Sequence, residues 1–133
     1  MLDKLIEVCF KKVGDWSLVG HSLRLTLASE ENSQNVLYCL VVDENPMYIG
    51  KTVQPLKKRM YGYLRPGPSQ STNIKNNAHL TNALLNGSKA ELFVLPDNGL
   101  LHLGAFHLNL AAGLEDSIVR KLCPEWNLVG KGK

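Results

Sequence analysis

The chain has 133 residues, 44% of them hydrophobic and 20% charged, and its 15 basic and 12 acidic side chains give a formal net charge of +3. This composition is typical of a globular domain, and it excludes a disordered tail, a polycation and a membrane-spanning protein, since no apolar run approaches the thickness of a bilayer. We therefore expect one domain over residues 1–133.

The first 35 residues predict a helix followed by a strand. Apolar residues recur at helical spacing over residues 2–13, which predicts an amphipathic helix that ends at Gly14. Leucines alternate with polar residues over 22–27, as in a half-exposed strand. Because Asp3 and Glu7 interrupt the first apolar residues and no small-residue cleavage site follows, the N-terminus does not resemble a signal peptide, and we expect a cytoplasmic protein.

The three cysteines are Cys9, Cys39 and Cys123. They are odd in number and far apart, so they predict neither a disulfide framework nor a zinc site. We expect all three to be small, buried, apolar residues.

Residues 36–52 predict a β-hairpin. Residues 36–42 form a continuous apolar and β-branched run, which is typical of a strand buried on both faces. The sequence Asp-Glu-Asn-Pro over 43–46 predicts a turn, and residues 47–52 return as the second strand.

The register of this hairpin decides where its two tyrosines point. If Glu44 and Asn45 form a two-residue loop, Tyr38 lies across from Lys51 and Tyr48 points to the opposite face. A loop that is longer or shorter by one residue places both tyrosines on one face. The sequence leaves these two registers open.

Tyr38 is a candidate general base. A phenol with an ordinary pKa near ~10 is a poor base at neutral pH, so a catalytic Tyr38 needs a nearby cation, which Lys51 or Arg59 could supply. The structural alternative is that Tyr38 and Tyr48 are core tyrosines whose hydroxyls are satisfied by hydrogen bonds.

The segment from Lys51 to Lys75 contains six basic residues and no acidic one. Such a one-signed segment predicts a surface for a polyanion, although a solvated basic helix face has the same pattern. We expect nucleic-acid contacts from four of its residues: Lys57, Lys58, Arg65 and Lys75.

Residues 56–64 predict a short helix on which Arg59 and Tyr63, four positions apart, share one face. An arginine fork with a neighbouring phenol is suited to binding a phosphate. The alternative is an arginine in a surface ion pair beside a core tyrosine.

The remaining residues predict a helix over 74–86, a third strand over 90–95 and a last helix over 113–122. The segment between the third strand and the last helix contains His102 and His107, but no further ligand lies at zinc-binding spacing. In the last helix, Glu115 shares the apolar face, where a carboxylate is costly unless it is paired or bound to a metal. The alternative is a first-turn carboxylate favoured by the helix dipole.

These residues resemble the GIY-YIG nuclease superfamily. The resemblance extends over residues 36–127, which we take as the core, with residues 1–35 as an N-terminal helix and strand extension. Tyr48-Ile49-Gly50 matches one half-motif fully, whereas Val36-Leu37-Tyr38 keeps only the tyrosine of the other. The ordered set is more specific than either tripeptide: Tyr38, Tyr48, Gly50, Arg59, Glu115 and Asn127.

The resemblance implies an α/β fold of the α+β type, with a small three-stranded antiparallel sheet flanked by helices. It also implies a DNA endonuclease that uses one divalent metal, Mg²⁺ or Mn²⁺, bound by Glu115. Tyr38 would act as the general base, Arg59 would steady the phosphate, and Asn127 would support the site. The implied catalytic set is completed by Tyr48, Lys51 and Tyr63.

Family members are frequently fused to a DNA-binding domain, for which this chain has no room. We therefore expect specificity for duplex or branched DNA to come from residues 1–35, from the polar loop over 69–77, or from a homodimer partner or separate subunit. The rival interpretation is a nucleic-acid-binding module that keeps the scaffold without turnover.

Overall fold

The computed structural model describes residues 1–97 and 102–128. Its elements follow one another as α1 (Leu2–Glu7), β1 (Lys11–Val19), β2 (Ser22–Leu27), β3 (Val36–Val42), β4 (Asn45–Thr52), α2 (Leu56–Leu64), α3 (Ser71–Leu85), β5 (Ala90–Pro96), β6 (His102–Leu103), β7 (Phe106–His107), α4 (Leu110–Leu122) and α5 (Glu125–Leu128). Among the described residues, no helix is both long enough and apolar enough to span a membrane.

The main sheet has five antiparallel strands in the order β2-β1-β5-β3-β4, and β6 and β7 form a separate two-stranded sheet. The prediction of a three-stranded sheet is therefore wrong. The N-terminal extension supplies the two additional strands, because β1 pairs with β5 and carries β2 on its other edge.

The predicted first helix is also wrong in its length. Helix α1 ends at Glu7, and Cys9 has a φ of +78°, which breaks the helix before Val13. Val13 and Trp16 then face the core from strand β1. Gly14 belongs to this strand, where a Cβ atom would lie 2.9 Å from the carbonyl oxygen of Thr26 on β2, so this glycine permits close strand packing.

The sheet separates two hydrophobic cores. Tyr38 and Leu40 of β3 face α2 and α3, whereas Leu37 and Cys39 face α1 and α4. This alternation follows from the two-residue period of a strand. Every residue of β3 up to Val41 is buried, as the continuous apolar run predicts.

The β3–β4 hairpin combines a two-residue turn with a bulge. Asp43 and Glu44 have φ values of +49° and +67° and connect the paired residues Val42 and Asn45. The register then shifts by one residue at Met47. The bulge therefore produces the register that an odd loop would give, because one extra residue exchanges the two faces of a strand.

Helix α4 begins earlier than predicted. Its N-cap is Asn109, whose side chain accepts a hydrogen bond from the backbone N–H of Ala112. Glu115 therefore lies beyond the first turn, where the dipole effect weakens, and the first-turn explanation for this carboxylate no longer applies.

The expectation of three buried cysteines is met only by Cys39. Cys9 and Cys123 are exposed. Each adopts a positive φ next to a helix end, of +78° at Cys9 and +48° at Cys123, so these cysteines lie in the turns that end α1 and α4 and not in the core.

Candidate active site

A cavity of about 340 Å³ lies at the free edge of the main sheet. Strand β4 forms its floor, and α3, α4 and α5 form its walls. Its polar and aromatic lining includes Tyr48, Lys75, Asn76, His79, Glu115 and Trp126. Tyr48 and Glu115 are 67 positions apart in the sequence, and the fold brings them to the same concave surface.

Behind this cavity, the buried hydroxyl groups of Tyr38 and Tyr63 form a cluster with the half-buried guanidinium of Arg59. The hydroxyl oxygens of Tyr38 and Tyr63 are 2.6 Å apart and hydrogen-bonded. Arg59 donates from Nη2 to the Tyr63 oxygen at 3.0 Å, and its guanidinium carbon lies 4.4 Å from the centre of the Tyr63 ring. Arg59 and Tyr63 therefore act as a pair, as their spacing on α2 predicts.

The other edge of the Arg59 guanidinium is held by α3. Nη1 donates to Oδ1 of the buried Asn73 at 2.9 Å, and Nδ2 of Asn73 donates to Oε1 of Gln70 at 3.1 Å. Asn73 and Gln70 were not predicted as site residues. Both lie in the predicted polar loop. The structure shows that α3 already begins at Ser71, with Gln70 as its N-cap, so the two residues are one helical turn apart.

Tyr48 lies on the same face of the sheet as Tyr38, with their ring centres 6.3 Å apart. Gly50, directly opposite Tyr38 in the hairpin, makes room for both rings. A Cβ atom on Gly50 would lie 2.6 Å from the Tyr38 hydroxyl oxygen and 2.9 Å from Cε2 of Tyr48. The glycine of the second half-motif is thus required by the packing of the two tyrosines.

The tyrosine hydroxyls are held in their neutral form. Burial raises the pKa of Tyr38 well above its usual value, and the nearby Arg59 opposes this effect only in part. Burial likewise raises the pKa of Tyr48 and of Tyr63. Tyr38 is only 1% exposed, whereas Tyr48 lines the cavity, so Tyr48 is the better placed of the two hairpin tyrosines to meet a bound molecule.

Lys51 does not lie near Tyr38. It pairs with Leu37 across the hairpin and therefore points to the opposite face of the sheet. There its Nζ lies 3.9 Å from Oε1 of Glu115. The cation beside Tyr38 is Arg59, whose guanidinium carbon lies 5.7 Å from the centre of the Tyr38 ring.

Asn127 is bound to the edge strand through both ends of its amide. Its Oδ1 accepts from the backbone N–H of Ile49 at 2.8 Å, and its Nδ2 donates to the carbonyl oxygen of Ile49 at 2.9 Å. Ile49 lies between Tyr48 and Gly50, so Asn127 replaces the hydrogen bonds of a missing neighbouring strand. It holds the floor of the cavity in place.

The four residues predicted to contact nucleic acid lie at different places on the surface. Lys75 lines the cavity that contains Glu115. Lys58 and Arg65 line a different cavity together with Arg59. Lys57 is exposed at the start of α2, where its backbone N–H donates to the carbonyl oxygen of Glu31.

Two aromatic residues of the cavity wall were not predicted. The rings of His79 and Trp126 are stacked at 4.7 Å with an angle of 13° between their planes. His79 lies on a face of α3 that also carries Thr72, Lys75 and Asn76, at helical spacing. This polar stripe was present in the sequence and could have indicated that α3 faces a site.

The fold and this cavity define the class of the protein: it has a GIY-YIG-like nuclease fold. The resemblance predicted from the sequence is confirmed at this level. No family model and no curated protein matches the chain.

The solved structures that share the fold include two endonucleases. One is bacteriophage T4 EndoII, a GIY-YIG nuclease, in a variant with one glutamate replaced by alanine; it is 25% identical, has a TM-score of 0.74, and the match covers 96% of this chain and 98% of EndoII. The other is the restriction endonuclease HPY188I in complex with product DNA, at 15% identity and a TM-score of 0.52, covering 98% of this chain and 80% of that one. Because its identity is so low, the second match concerns the fold alone.

Proposed function

We propose that the protein is a DNA endonuclease that hydrolyses phosphodiester bonds with the help of one divalent metal ion. The observation that carries this proposal is the meeting of Tyr48 and Glu115 in one cavity, backed by the Arg59–Tyr63 pair. Phosphodiester hydrolysis needs an activated water and positive charge against the phosphate. The likeness to EndoII supports the same reaction class.

The donors in the cavity fit a metal that keeps most of its water. Among the described residues, no group of three or more histidine, cysteine or acidic side chains surrounds a common point. Glu115 offers a single carboxylate, with a side chain that is 29% exposed. Mg²⁺ accepts such a site, because it is commonly bound through one or two carboxylates, several waters and the substrate phosphate. When bound, Mg²⁺ or Mn²⁺ would polarise the phosphoryl oxygen and acidify a bound water.

The basic side chains have distinct roles in this proposal. Lys75 lines the cavity and contributes positive charge to the phosphate entering it. Arg59 is oriented by Asn73 and Tyr63, so its charge is fixed before DNA binds. Preorganised charge is worth more than mobile charge, because no reorganisation accompanies the reaction.

We propose that Tyr48, and not Tyr38, is the general base that contacts the attacking water. Tyr38 has a supporting role, because it holds the hydroxyl of Tyr63 by a hydrogen bond. A phenol accepts a proton only as phenolate, and the raised pKa of Tyr48 keeps it neutral near pH 7. Cleavage under single-turnover conditions should therefore accelerate as the pH rises from neutral into the alkaline range.

The experiment compares cutting with binding. Purified protein is incubated with linear duplex and single-stranded DNA in Mg²⁺, Mn²⁺ or EDTA, and DNA binding is measured in parallel in EDTA. Metal-dependent cutting by the wild type that is slowed at least about a hundredfold in Tyr48→Phe supports the proposal. Tight binding with no cutting in any metal would instead identify a nucleic-acid-binding module.

Tyr61→Phe is the matched control for the loss of a hydroxyl. Tyr61 is exposed on α2 and does not line the cavity that contains Glu115. This variant should cut at close to the wild-type rate. If Tyr48→Phe also cuts normally while Tyr38→Phe does not, the base is Tyr38 and our choice of Tyr48 is wrong.

A further inference from the structure

A second large cavity lies away from the candidate active site. It has a volume of about 710 Å³ and separates the β1–β2 hairpin from the second half of α2. His21, Ser22 and Arg24 line it from the hairpin, and Tyr61 and Arg65 line it from the helix side. All five residues are exposed.

This cavity is continuous with the surface around Arg59. A third cavity of about 410 Å³ shares Tyr61 and Arg65 with it and is also lined by Lys58 and Arg59. Arg59 in turn donates to the Tyr63 hydroxyl behind the candidate active site. Two neighbouring cavities therefore follow α2 from Arg59 to the tip of the N-terminal hairpin.

The charged residues that line these two cavities are all basic: Arg24, Lys58, Arg59 and Arg65. Over the described ranges 1–97 and 102–128, neither Arg24 nor Arg65 forms an ion pair with a carboxylate. Charges that are not neutralised by the protein itself are available to a polyanion. Tyr61, which is 58% exposed between them, adds an aromatic ring that can pack against a sugar of the backbone.

We propose that this surface, formed by residues 21–24 and the second half of α2, binds the backbone of the DNA duplex beside the phosphate that is cut. The inference rests on the proposed function, since it assigns the path of the same DNA. A second copy of the chain fits less well, because a symmetric interface would bring identical basic surfaces together. The N-terminal extension thereby gains a role beyond completing the sheet.

A surface that binds the DNA backbone should contact phosphates and not bases. Each lost phosphate contact should lower the slope of log affinity against log salt concentration by roughly 0.9 on duplex DNA. Contacts beside the cut site should also matter only when the duplex is long enough to reach them. Both consequences can be measured without cleavage.

The experiment measures binding of a fluorescent duplex over a range of salt concentrations, with Glu115→Gln in every protein to prevent cutting. Two changes are introduced in the surface: Arg65→Ala, and Ser22→Glu at the tip of the hairpin. Their controls are Lys121→Ala and Ser117→Glu, which make the same charge changes on α4, on the other side of the sheet. All four positions are exposed, so the thermal stability should stay nearly constant.

We expect each surface variant to weaken binding several-fold more than its control, with a smaller salt slope for Arg65→Ala. The difference should disappear on a duplex trimmed to about one helical turn.

Equal effects of the surface variants and their controls would overturn the inference, even if the wild type cuts DNA in the presence of metal. A change of oligomeric state by sedimentation that accounts for the loss of binding would also overturn it, in favour of a protein interface. Salt-dependent losses in a protein that never cuts DNA would support the binding surface while refuting the endonuclease proposal.

Discussion

Gly50 lies beneath the rings of Tyr38 and Tyr48, and the packing there leaves no room for a methyl group. Gly50 has an ordinary φ, so a glycine is not needed here for its backbone freedom. The second half-motif ends on glycine because there is no space for a side chain. The side chains above it cannot move far, because Tyr38 is hydrogen-bonded to Tyr63. The geometry of the tyrosines therefore depends on one missing Cβ atom.

Gly50→Ala should destabilise the protein by about 1–3 kcal/mol, since overpacking in a rigid core displaces its neighbours. DNA cutting should fall as well, because Tyr48 moves with the clash. Gly113→Ala is the control: it lies in α4 with open space around it, and replacing a helical glycine should leave stability unchanged or raise it by up to about 1 kcal/mol. Urea unfolding measures the free energy of unfolding of both variants. Equal values for Gly50→Ala and Gly113→Ala would contradict the packing explanation.

The buried phenols also make the folding free energy depend on pH. A raised pKa in the folded state means that the neutral phenol is favoured by folding. This stability is complete below the pKa of a phenol in the unfolded chain, near ~10, and is lost as the pH rises above it. The free energy of unfolding should therefore fall from about pH 10 upwards.

Urea unfolding between neutral and alkaline pH measures this decline. Tyr38→Phe should reduce its steepness, because the variant has one buried phenol fewer. The exposed Tyr61 provides the comparison, and Tyr61→Phe should leave the decline unchanged. An identical decline in Tyr38→Phe and the wild type would show that the Tyr38 hydroxyl is solvated in the folded protein.

At the scale of the elements, β4 carries the cavity floor and is an edge strand, since no other strand of the described residues pairs with its free side. The short helix α5 compensates for this through Asn127, whose amide binds both backbone groups of Ile49. Such an arrangement fixes an edge strand and blocks its pairing with another chain.

Asn127→Asp should be more harmful at neutral pH than at acidic pH. A carboxylate still accepts from the N–H of Ile49 but places negative charge against its carbonyl oxygen, whereas a protonated carboxyl can donate to that oxygen. We expect a loss of about 1–3 kcal/mol near pH 7 that becomes smaller below the pKa of the new carboxyl. Thermal unfolding at several pH values measures the effect, and a loss that does not vary with pH would refute this account of the bidentate contact.

The elements also show how far the sequence could be interpreted. Strands β3 and β5 and helices α2, α3 and α4 were predicted because their apolar patterns are long and regular. Strand β1 was missed, since Val13 continues the helical spacing of α1 by coincidence and only Cys9 breaks the helix. The five-stranded sheet could not be predicted without β1.

The candidate site was predicted residue by residue but not in its geometry. Arg59, Tyr63 and Glu115 were named from their helical spacing, and Asn127 from the resemblance to the GIY-YIG nucleases. The register of the hairpin depends on a bulge at Met47, which no local pattern specifies because it is fixed by tertiary packing. The position of Lys51 on the Glu115 side follows from that register, so that of the two cations considered for Tyr38 it is Arg59 that lies beside it.

At the scale of the molecule, the N-terminal extension is joined to the site. Trp16 of β1 packs edge-on against the ring of Tyr63, with ring centres 6.5 Å apart, and Tyr63 carries the hydrogen bonds of Tyr38 and Arg59. The extension therefore supports the hydroxyl cluster from below, while its hairpin tip extends the basic surface along α2. The match to EndoII includes this region, since it covers 96% of the chain.

The most direct test of the endonuclease proposal is the single-turnover rate of duplex cleavage in Mn²⁺ for Glu115→Gln beside Glu7→Gln. Glu7 is an exposed carboxylate on α1, away from the cavity. We predict that Glu7→Gln cuts at the wild-type rate, whereas Glu115→Gln is slowed at least about a hundredfold because it loses the only carboxylate proposed to bind the metal. Equal rates for the two variants would contradict the account.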